Sequence, residues 1–472
     1  MDYHSNFGFD WFSNAETKVK MQQMLATDNA VAILGLGVTG MSCARYFENC
    51  GRSFVMFDEN PAPQSVMNFE RDFPQHMLSV GPLQENDLAT FNTIVVSPGI
   101  ALDVPAIRRA SVFGANITGD ISLFKDEVTA PVVAITGSNG KSTVTALVGE
   151  MAQQAGRKVA VGGNIGKPVL DLLLDENDYD LYVVELSSYQ LERTALLAAD
   201  AAVVLNLSPD HLDRYANMIA YHQAKHRIHR GCHYSVFNRA DRLTQPLPAK
   251  DTQLVSFGLN AADLKQYGVD AGFEYLMYGP NKLMPISEMG LQGKHNIENA
   301  LAALALGTGI GLPMPAMLTA IRKFKGLSHR CQFVATVDGV DYINDSKGTN
   351  VGATLAAIHG LATGNKDIVL IAGGVGKGAD FKPLVVASDK LKAAVLIGKS
   401  ADELEIVLSS KVLCIRADSM SDAVEQAAQI AVSGDTVLLS PACASFDMFS
   451  SFEHRGQVFV DAINGLQAEA LS

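Results

Sequence analysis

From about Val31 to the C-terminus, short runs of apolar, β-branched residues alternate with stretches whose apolar positions recur at helical spacing. Three of the runs break into glycine-rich turns: VAILGLGVTG (Val31 to Gly40), VVAITGSNG (Val132 to Gly140) and IVLIAGGVG (Ile368 to Gly376). A strand that feeds a tight turn and then a helix, with further strands between, predicts parallel sheets with crossover helices. Three such openings predict an α/β chain of three domains in series, 1–119, 120–326 and 327–472, jointed near Gly119 and Gly326. Their spacing is too long and irregular for a solenoid. From Gln253 to about Leu291 the helical pattern lapses, and turns at Gly258, Gly272, Gly279 and Gly290 predict antiparallel β structure attached to the middle domain. Residues 1–28 carry no pattern and hold the single tryptophan, Trp11. They read either as a docking extension or as a lead before a start at Met21 or Met24.

The stretch Pro131 to Thr143, PVVAITGSNGKST, places chemistry on this framework. A strand aims its loop at a helix start, where free backbone N–H groups and the positive end of the helix dipole favour an anion. Gly137, Ser138, Asn139 and Gly140 let backbone approach phosphate, Lys141 supplies charge, and the hydroxyls of Ser142 and Thr143 suit Mg²⁺. The loop is shorter than the usual GxxxxGK[ST], so it reads as a variant phosphate loop for ATP or GTP. Gly35, Gly37 and Gly40, with Asp58 at the end of the next strand-like run, match a dinucleotide fingerprint whose acid binds a ribose hydroxyl. Alone they would fit an NAD-dependent oxidoreductase. Beside a separate phosphate loop, a nucleotide-linked substrate fits better. Ser97 and Gly99, in IVVSPGI, end a strand at the same sheet edge.

Further strand ends carry polar groups. Glu185 closes an apolar strand ahead of Ser187, Ser188 and Gln190, placed either to hold Mg²⁺ or to cap a helix. Asp210, His211 and Asp213 suit a metal or a substrate, or ordinary turn chemistry. Lys225, on YHQAKHRIHR, reads on its own as a solvated helix residue. Asn296 and Asn299 share one helix face and either read a nucleoside or cap the helix. Arg330, Asp345 and Lys347 either contact phosphate and ribose or belong to a turn stabilised by Asn and Asp, and Lys377 and Ser445 are loop residues offered to an anionic substrate.

The net charge of −13, with both signs interspersed, argues against a nucleic-acid partner, which needs a basic face. Six scattered cysteines without CxxC or zinc spacing read as free thiols in a reducing cytoplasm. The leading MDYHSNFGFDWF lacks the pattern of a signal peptide, and no apolar run is long enough for membrane insertion.

Taken together, TGSNGKST, ELSSYQLE, DHLDRY, GKHNIENA, HR, NDSKGTN and SPACAS, in that order, resemble the Mur ligase family. LGLGVTG, SPGI and SPACASFDMF point to its D-glutamate-adding branch, and the DNPR-type motif of the diaminopimelate- or lysine-adding branches is missing. The resemblance implies a Rossmann-like N-terminal domain for a UDP-sugar, a central P-loop ATPase domain and a Rossmann-like C-terminal domain that closes over ATP and the amino acid. It implies a cytoplasmic, monomeric ligase of peptidoglycan synthesis that joins D-glutamate to UDP-N-acetylmuramoyl-L-alanine through an acyl phosphate. It also assigns residues. Lys141 contacts phosphates, Ser142 and Glu185 hold one Mg²⁺, and His211 and a carbamylated Lys225 serve a second. Asn296, Asn299, Arg330, Asp345 and Lys347 hold ATP. Thr349, Lys377, Ser445, Phe446 and Phe452 receive D-glutamate. Leu36, Val38, Thr39, Asp58, Ser97, Gly99, Asn164, Gln190 and His211 line the path of the UDP-sugar. Where the family can show Thr-Arg after the acid, this chain has Glu59 and Asn60. A folylpolyglutamate synthetase would have no need of the glycine-rich first domain, and a nucleotide-binding switch would have no need of so many polar strand ends.

Overall fold

The computed structural model of the protein describes residues 30–210, 214–291, 293–362, 364 and 367–470. The extension at 1–28, and His211 with Asp213, lie outside the described residues. The first sheet holds β1 (Val31–Leu34), β2 (Phe54–Asp58), β3 (Met77–Val80), β4 (Thr93–Val96) and β5 (Asn116–Thr118). All are parallel, in the order β3-β2-β1-β4-β5. The order reverses between β1 and β4, so the loops after these two strands open a crevice at the carboxyl edge, the place where such sheets bind ligands. Helices cover both faces, which is why β1 is buried along its whole length and reads as an unbroken apolar run.

The second sheet holds β6 (Val132–Thr136), β7 (Val159–Gly163), β8 (Leu181–Glu185), β9 (Ala201–Val204), β10 (Tyr234–Asn238) and β11 (Gln253–Phe257), in the order β11-β10-β9-β6-β8-β7. All its pairings are parallel. Because β6 is central, the glycine turn after it is flanked by the carboxyl ends of β8 and β9. β11 corrects one expectation: it pairs parallel with β10 as the sheet's edge, not antiparallel. A strand pattern carries no direction, and lying beside β10 is what lets Val255 and Phe257 join the core under the helix Lys294–Gly309. The antiparallel part is confined to β12 (Tyr267–Val269), β13 (Tyr275–Tyr278) and β14 (Asn281–Pro285).

The third sheet holds β15 (Gln332–Val337), β16 (Val340–Asn344), β17 (Ile368–Gly373), β18 (Leu391–Ile397), β19 (Leu413–Arg416) and β20 (Thr436–Leu439), in the order β15-β16-β20-β17-β18-β19. β15 runs antiparallel to β16 and the rest are parallel.

The cores are shared unequally. One face of the first sheet (Val31, Ile33, Phe54, Met56) continues through Ile121 and Phe124 of the helix Asp120–Glu127 into one face of the second sheet (Val132, Ala134, Tyr182, Val184). Arg45 adds a bidentate pair to Asp171 at 2.8 and 2.6 Å, and the Tyr46 hydroxyl donates to Glu127 at 2.9 Å. The third sheet buries its two faces in cores made only of its own residues. It meets the second sheet through polar contacts around the phosphate loop. Among the described residues no helix is long and apolar enough to cross a membrane, and all six cysteines are free thiols.

Candidate active site

The turn after β6 is held open by its own backbone and its neighbours. Gly140 caps the helix Lys141–Gln154 at φ +82°, and a Cβ there would stand 2.5 Å from Asn299 Oδ1. Glycine is therefore required twice, for conformation and for space. Asn206, just beyond β9, clamps the loop: its Oδ1 accepts from Asn139 N–H at 2.8 Å and its Nδ2 donates to Asn139 O at 3.1 Å. Ser138 Oγ lies 3.1 Å from the Tyr221 hydroxyl and accepts from Ser208 N–H at 3.0 Å. Lys141 Nζ donates to Gly137 O and Ser138 O at 3.0 and 2.9 Å, so its charge sits over the loop. Burial lowers its pKa.

Ser142 Oγ donates to Glu185 Oε2 at 2.5 Å, while Asn164 Nδ2 donates to Glu185 Oε1 at 3.0 Å. Arg330 reaches across from the third domain and donates to Ser142 Oγ at 2.5 Å. The Ser142–Glu185 pair fits Mg²⁺. Both donors are oxygens, one anionic, and this ion takes one or two protein oxygens and keeps several waters. Among the described residues no three His, Cys, Asp or Glu side chains converge on a metal position.

Lys225 is the least expected member. Its ammonium is buried, donating to Gly137 O at 2.9 Å and Thr136 Oγ1 at 3.3 Å, and lies over the Tyr221 ring at 4.8 Å. Burial first, then the charge of Lys141, pushes its pKa well below that of an ordinary lysine. Its helix Met218–His226 starts at an Asn217 cap, and Tyr221 precedes Lys225 by one helical turn, so both face the loop. With Lys141, Glu185, Asn164, Ser188, Asp210, Lys347 and Thr349 it lines a cavity of about 240 Å³.

A second cavity, about 530 Å³, lies on the other side of the loop and shares Asn139, Gly140, Arg330 and Lys347 with the first. Its wall brings together Thr143, Asn296, Asn299, Arg330, Asp345 and Lys347, from two domains. Asn299 Nδ2 donates to Asn296 Oδ1 at 3.3 Å. Asp345 accepts from Cys331 N–H at 3.2 Å and Ser440 Oγ at 2.7 Å, and burial raises its pKa to about 6. Lys347 stands 3.8 Å over the Phe452 ring, and burial lowers its pKa to about 8.

In the first-sheet crevice, Gly40 meets the backbone so closely that a Cβ would lie 1.8 Å from Gly35 O. Val38 and Gly99 are exposed there, with Thr39 and Ser97 half-buried. Asp58 does more than face the crevice: its Oδ2 accepts from Leu36 N–H at 2.6 Å and its Oδ1 from Asn60 N–H at 3.0 Å, so it braces the glycine loop. The Leu36 side chain is in the core, leaving its backbone toward the crevice. Gln190 is also buried: Nε2 donates to Asp120 Oδ2 at 2.9 Å, and Oε1 accepts from Ser187 in a capping box. In this conformation it supports the wall of the smaller cavity rather than lining it. In the third domain Ser445 is buried and Phe446 is 75% exposed. Lys377 approaches Asp210 at 3.5 Å.

Sequence reasoning did not single out Tyr221 or Asn350. Asn350 Nδ2 donates to Asn139 Oδ1 at 3.1 Å and Asp210 Oδ2 at 3.2 Å, joining the third domain to the phosphate loop. Its position as a helix cap hid this second task; Tyr221 had a signal, its spacing from Lys225.

Three family models match in chain order: Mur ligase MurD-like, N-terminal domain, over residues 29–119; Mur ligase middle domain over 135–307; and Mur ligase, glutamate ligase domain over 329–443. The UDP-N-acetylmuramoylalanine–D-glutamate ligase of Pseudomonas fluorescens is 50% identical over 448 residues, 94% of this chain and 99% of that protein. Among solved structures, the UDP-N-acetylmuramate-alanine ligase MurC of Thermotoga maritima shares the fold at a TM-score of 0.59 and 19% identity, over 93% of this chain and 99% of that one. The MurF ligase of Thermotoga maritima, solved in complex with ADP, does so at a TM-score of 0.57 and 16% identity, over 88% and 96%. On its three matched domains and a relative half identical along nearly the whole of both chains, the protein belongs to the Mur ligase family.

Proposed function

We propose that the chain is an ATP-dependent ligase that forms the amide between UDP-N-acetylmuramoyl-L-alanine and D-glutamate in peptidoglycan synthesis. The observation that carries the reaction type is one phosphate loop shared by two cavities, with polar groups from two domains around it. The near-full-length relative of that name supports the choice of substrates. ATP occupies the larger cavity, with Asn296, Asn299 and Asp345 about the nucleoside and Gly137 to Thr143, Arg330 and Lys347 about the phosphates. The UDP-sugar lies in the first-sheet crevice and runs past Ser97 and Asn164, so that its carboxylate enters the smaller cavity.

A carboxylate is a poor electrophile. Its oxygen attacks the γ-phosphorus, the bond to ADP breaks, and the acyl phosphate so formed carries a leaving group. The D-glutamate amine then attacks the carbonyl carbon and phosphate departs. The protein's work is to position three anionic reactants and neutralise their charge. Lys141 and Arg330 face the transferring phosphoryl group; Thr349, Lys377, Ser445, Phe446 and Phe452 receive D-glutamate as the third domain closes. Magnesium would shield the phosphate oxygens, one ion at Ser142 and Glu185 and a second at His211 and Lys225. Lys225 suits that task only as a carbamate: its buried, readily deprotonated amine can take up CO₂, release a proton and present the anionic, carboxylate-like oxygens of the carbamate in place of a positive charge. Both cavities are completed within one chain, which supports a monomer, and ATP with a nucleotide-linked substrate supports a cytoplasmic enzyme.

The test is phosphate release from ATP and Mg²⁺ with UDP-N-acetylmuramoyl-L-alanine, comparing D-glutamate, L-glutamate, L-alanine and diaminopimelate. Release with D-glutamate alone is expected; release with another amino acid, or with none, contradicts the assignment.

A further inference from the structure

Among the buried cations outside the reaction just described, one joins two domains. Arg193 follows the short helix Ser188–Glu192, and its side chain is almost wholly withdrawn from solvent. Its Nη2 donates to Ile100 O, in the loop after β4, and its Nη1 donates to Tyr189 O, in the wall of the smaller cavity. One guanidinium thus ties the first-sheet crevice to the reaction cavity. Glu192 Oε2 lies 3.4 Å from Nη1, so the two terminal nitrogens are directed chiefly at carbonyls of two domains, while Nε is buried without a hydrogen-bond partner. A buried guanidinium is costly unless its geometry is well satisfied. Here the backbone that carries the fork is held from three sides. A Cβ on Gly119, at the joint between the first two domains, would lie 3.0 Å from Arg193 Cβ, Ser122 Oγ donates to Arg193 O at 3.3 Å, and Arg227 donates to Glu192 O at 2.8 Å. Ile100 transmits the constraint: its Cδ1 would stand 3.2 Å from a Cβ on Gly35, against the glycine loop of the crevice.

We propose that Arg193 is a positioning residue that sets the register between the nucleotide-diphosphate crevice of the first domain and the acyl-transfer cavity of the second. A long substrate spanning both sites pays for its extended nucleotide end only if the two sites stand at a fixed separation, since binding energy from a remote group reaches the reacting carboxylate through that geometry. This rests on the proposed function, in which the UDP end occupies the crevice and the alanyl carboxylate the cavity.

The test compares wild type, Arg193→Lys and Arg193→Met on two substrates, UDP-N-acetylmuramoyl-L-alanine and its truncation 1-phospho-N-acetylmuramoyl-L-alanine, which lacks the uridine end. With the full substrate the variants are expected to show KM raised about tenfold or more, with KM for ATP within about twofold of wild type. With the truncated substrate kcat/KM should differ from wild type by less than about threefold, because the uridine end no longer has a register to lose. Equal proportional losses on both substrates, or an unchanged KM for the full one, would overturn the proposal. Should the Met variant not fold, the Lys variant carries the same comparison, since it keeps the buried charge but not the fork. Wild type inactive on the full substrate would refute the proposed function instead, a separate outcome.

Discussion

Lys225 acquires its chemistry from its surroundings. Its own stretch, YHQAKHRIHR, reads in sequence as a helix bearing a solvated lysine, and only the packing of Tyr221, Thr136 and the phosphate loop strips water from the amine. Neutral amine is what captures CO₂, so protein prepared in ¹³C-bicarbonate should show a carbamate carbon resonance that vanishes in Lys225→Arg, with kcat reduced by about 10²–10³-fold as for other removed charge-stabilising groups. A wild-type spectrum without that resonance contradicts the carbamate. Asp345 gives a prediction of opposite kind. Burial raises its folded pKa to about 6, against roughly 3.9 unfolded. The folded state therefore binds more protons between those values, stability falls as pH rises through the window, and the full cost is present above it. Asp345→Asn keeps an acceptor for Cys331 N–H and Ser440 Oγ but removes the charge. It should raise thermal stability at neutral pH by about 1–3 kcal/mol, show no gain below roughly pH 4, and weaken ATP binding. Unfolding scans across pH check the sign.

Elements carry the next set of constraints. The glycine turns after β1 and β6 are similar in sequence but are built against different obstacles, Gly35 O for Gly40 and Asn299 for Gly140. Gly40→Ala should weaken binding of the UDP-sugar while leaving ATP affinity intact, and Gly140→Ala should do the reverse; calorimetry with each ligand separates them. Most of this level was legible from the chain. The strand-turn-helix units, the loop at Gly137 to Thr143, and the ends of β8 and β9 follow from periodicity and turn chemistry, because a strand end is where a polar residue interrupts an apolar run. The direction of β11 was not legible, since alternation is the same parallel or antiparallel. Nor was the support given by Gln190 and Asp58, whose side chains look equally apt for a ligand until their backbone and Asp120 partners are seen. Arg193 was hidden for the same reason: the carbonyls it joins are 93 residues apart for Ile100 and 4 apart for Tyr189.

At the scale of the molecule, the three sheets are coupled in two ways. The first and second share one apolar core through Phe124, which is fully buried and meets Tyr182 edge-on at 5.3 Å. Phe124→Ala should cost about 3–5 kcal/mol in denaturant unfolding. The second and third meet instead through Arg330, Asn350 and Lys377, polar groups that ligands can replace. Gly326, at φ +92°, lies in the connection between them and suits a hinge. Solution scattering should show compaction on adding an ATP analogue with the UDP-sugar; an unchanged profile counts against closure. What the two cavities have in common is the phosphate loop, and from it comes the central claim, that a carboxylate in one is phosphorylated by a nucleotide in the other. The direct measurement is isotopic: supply UDP-N-acetylmuramoyl-L-alanine labelled with ¹⁸O in its carboxylate, with ATP, Mg²⁺ and D-glutamate, and weigh the inorganic phosphate released. One ¹⁸O carried from the carboxylate into each phosphate is predicted. Phosphate formed at the same rate as the amide but without label would contradict the account.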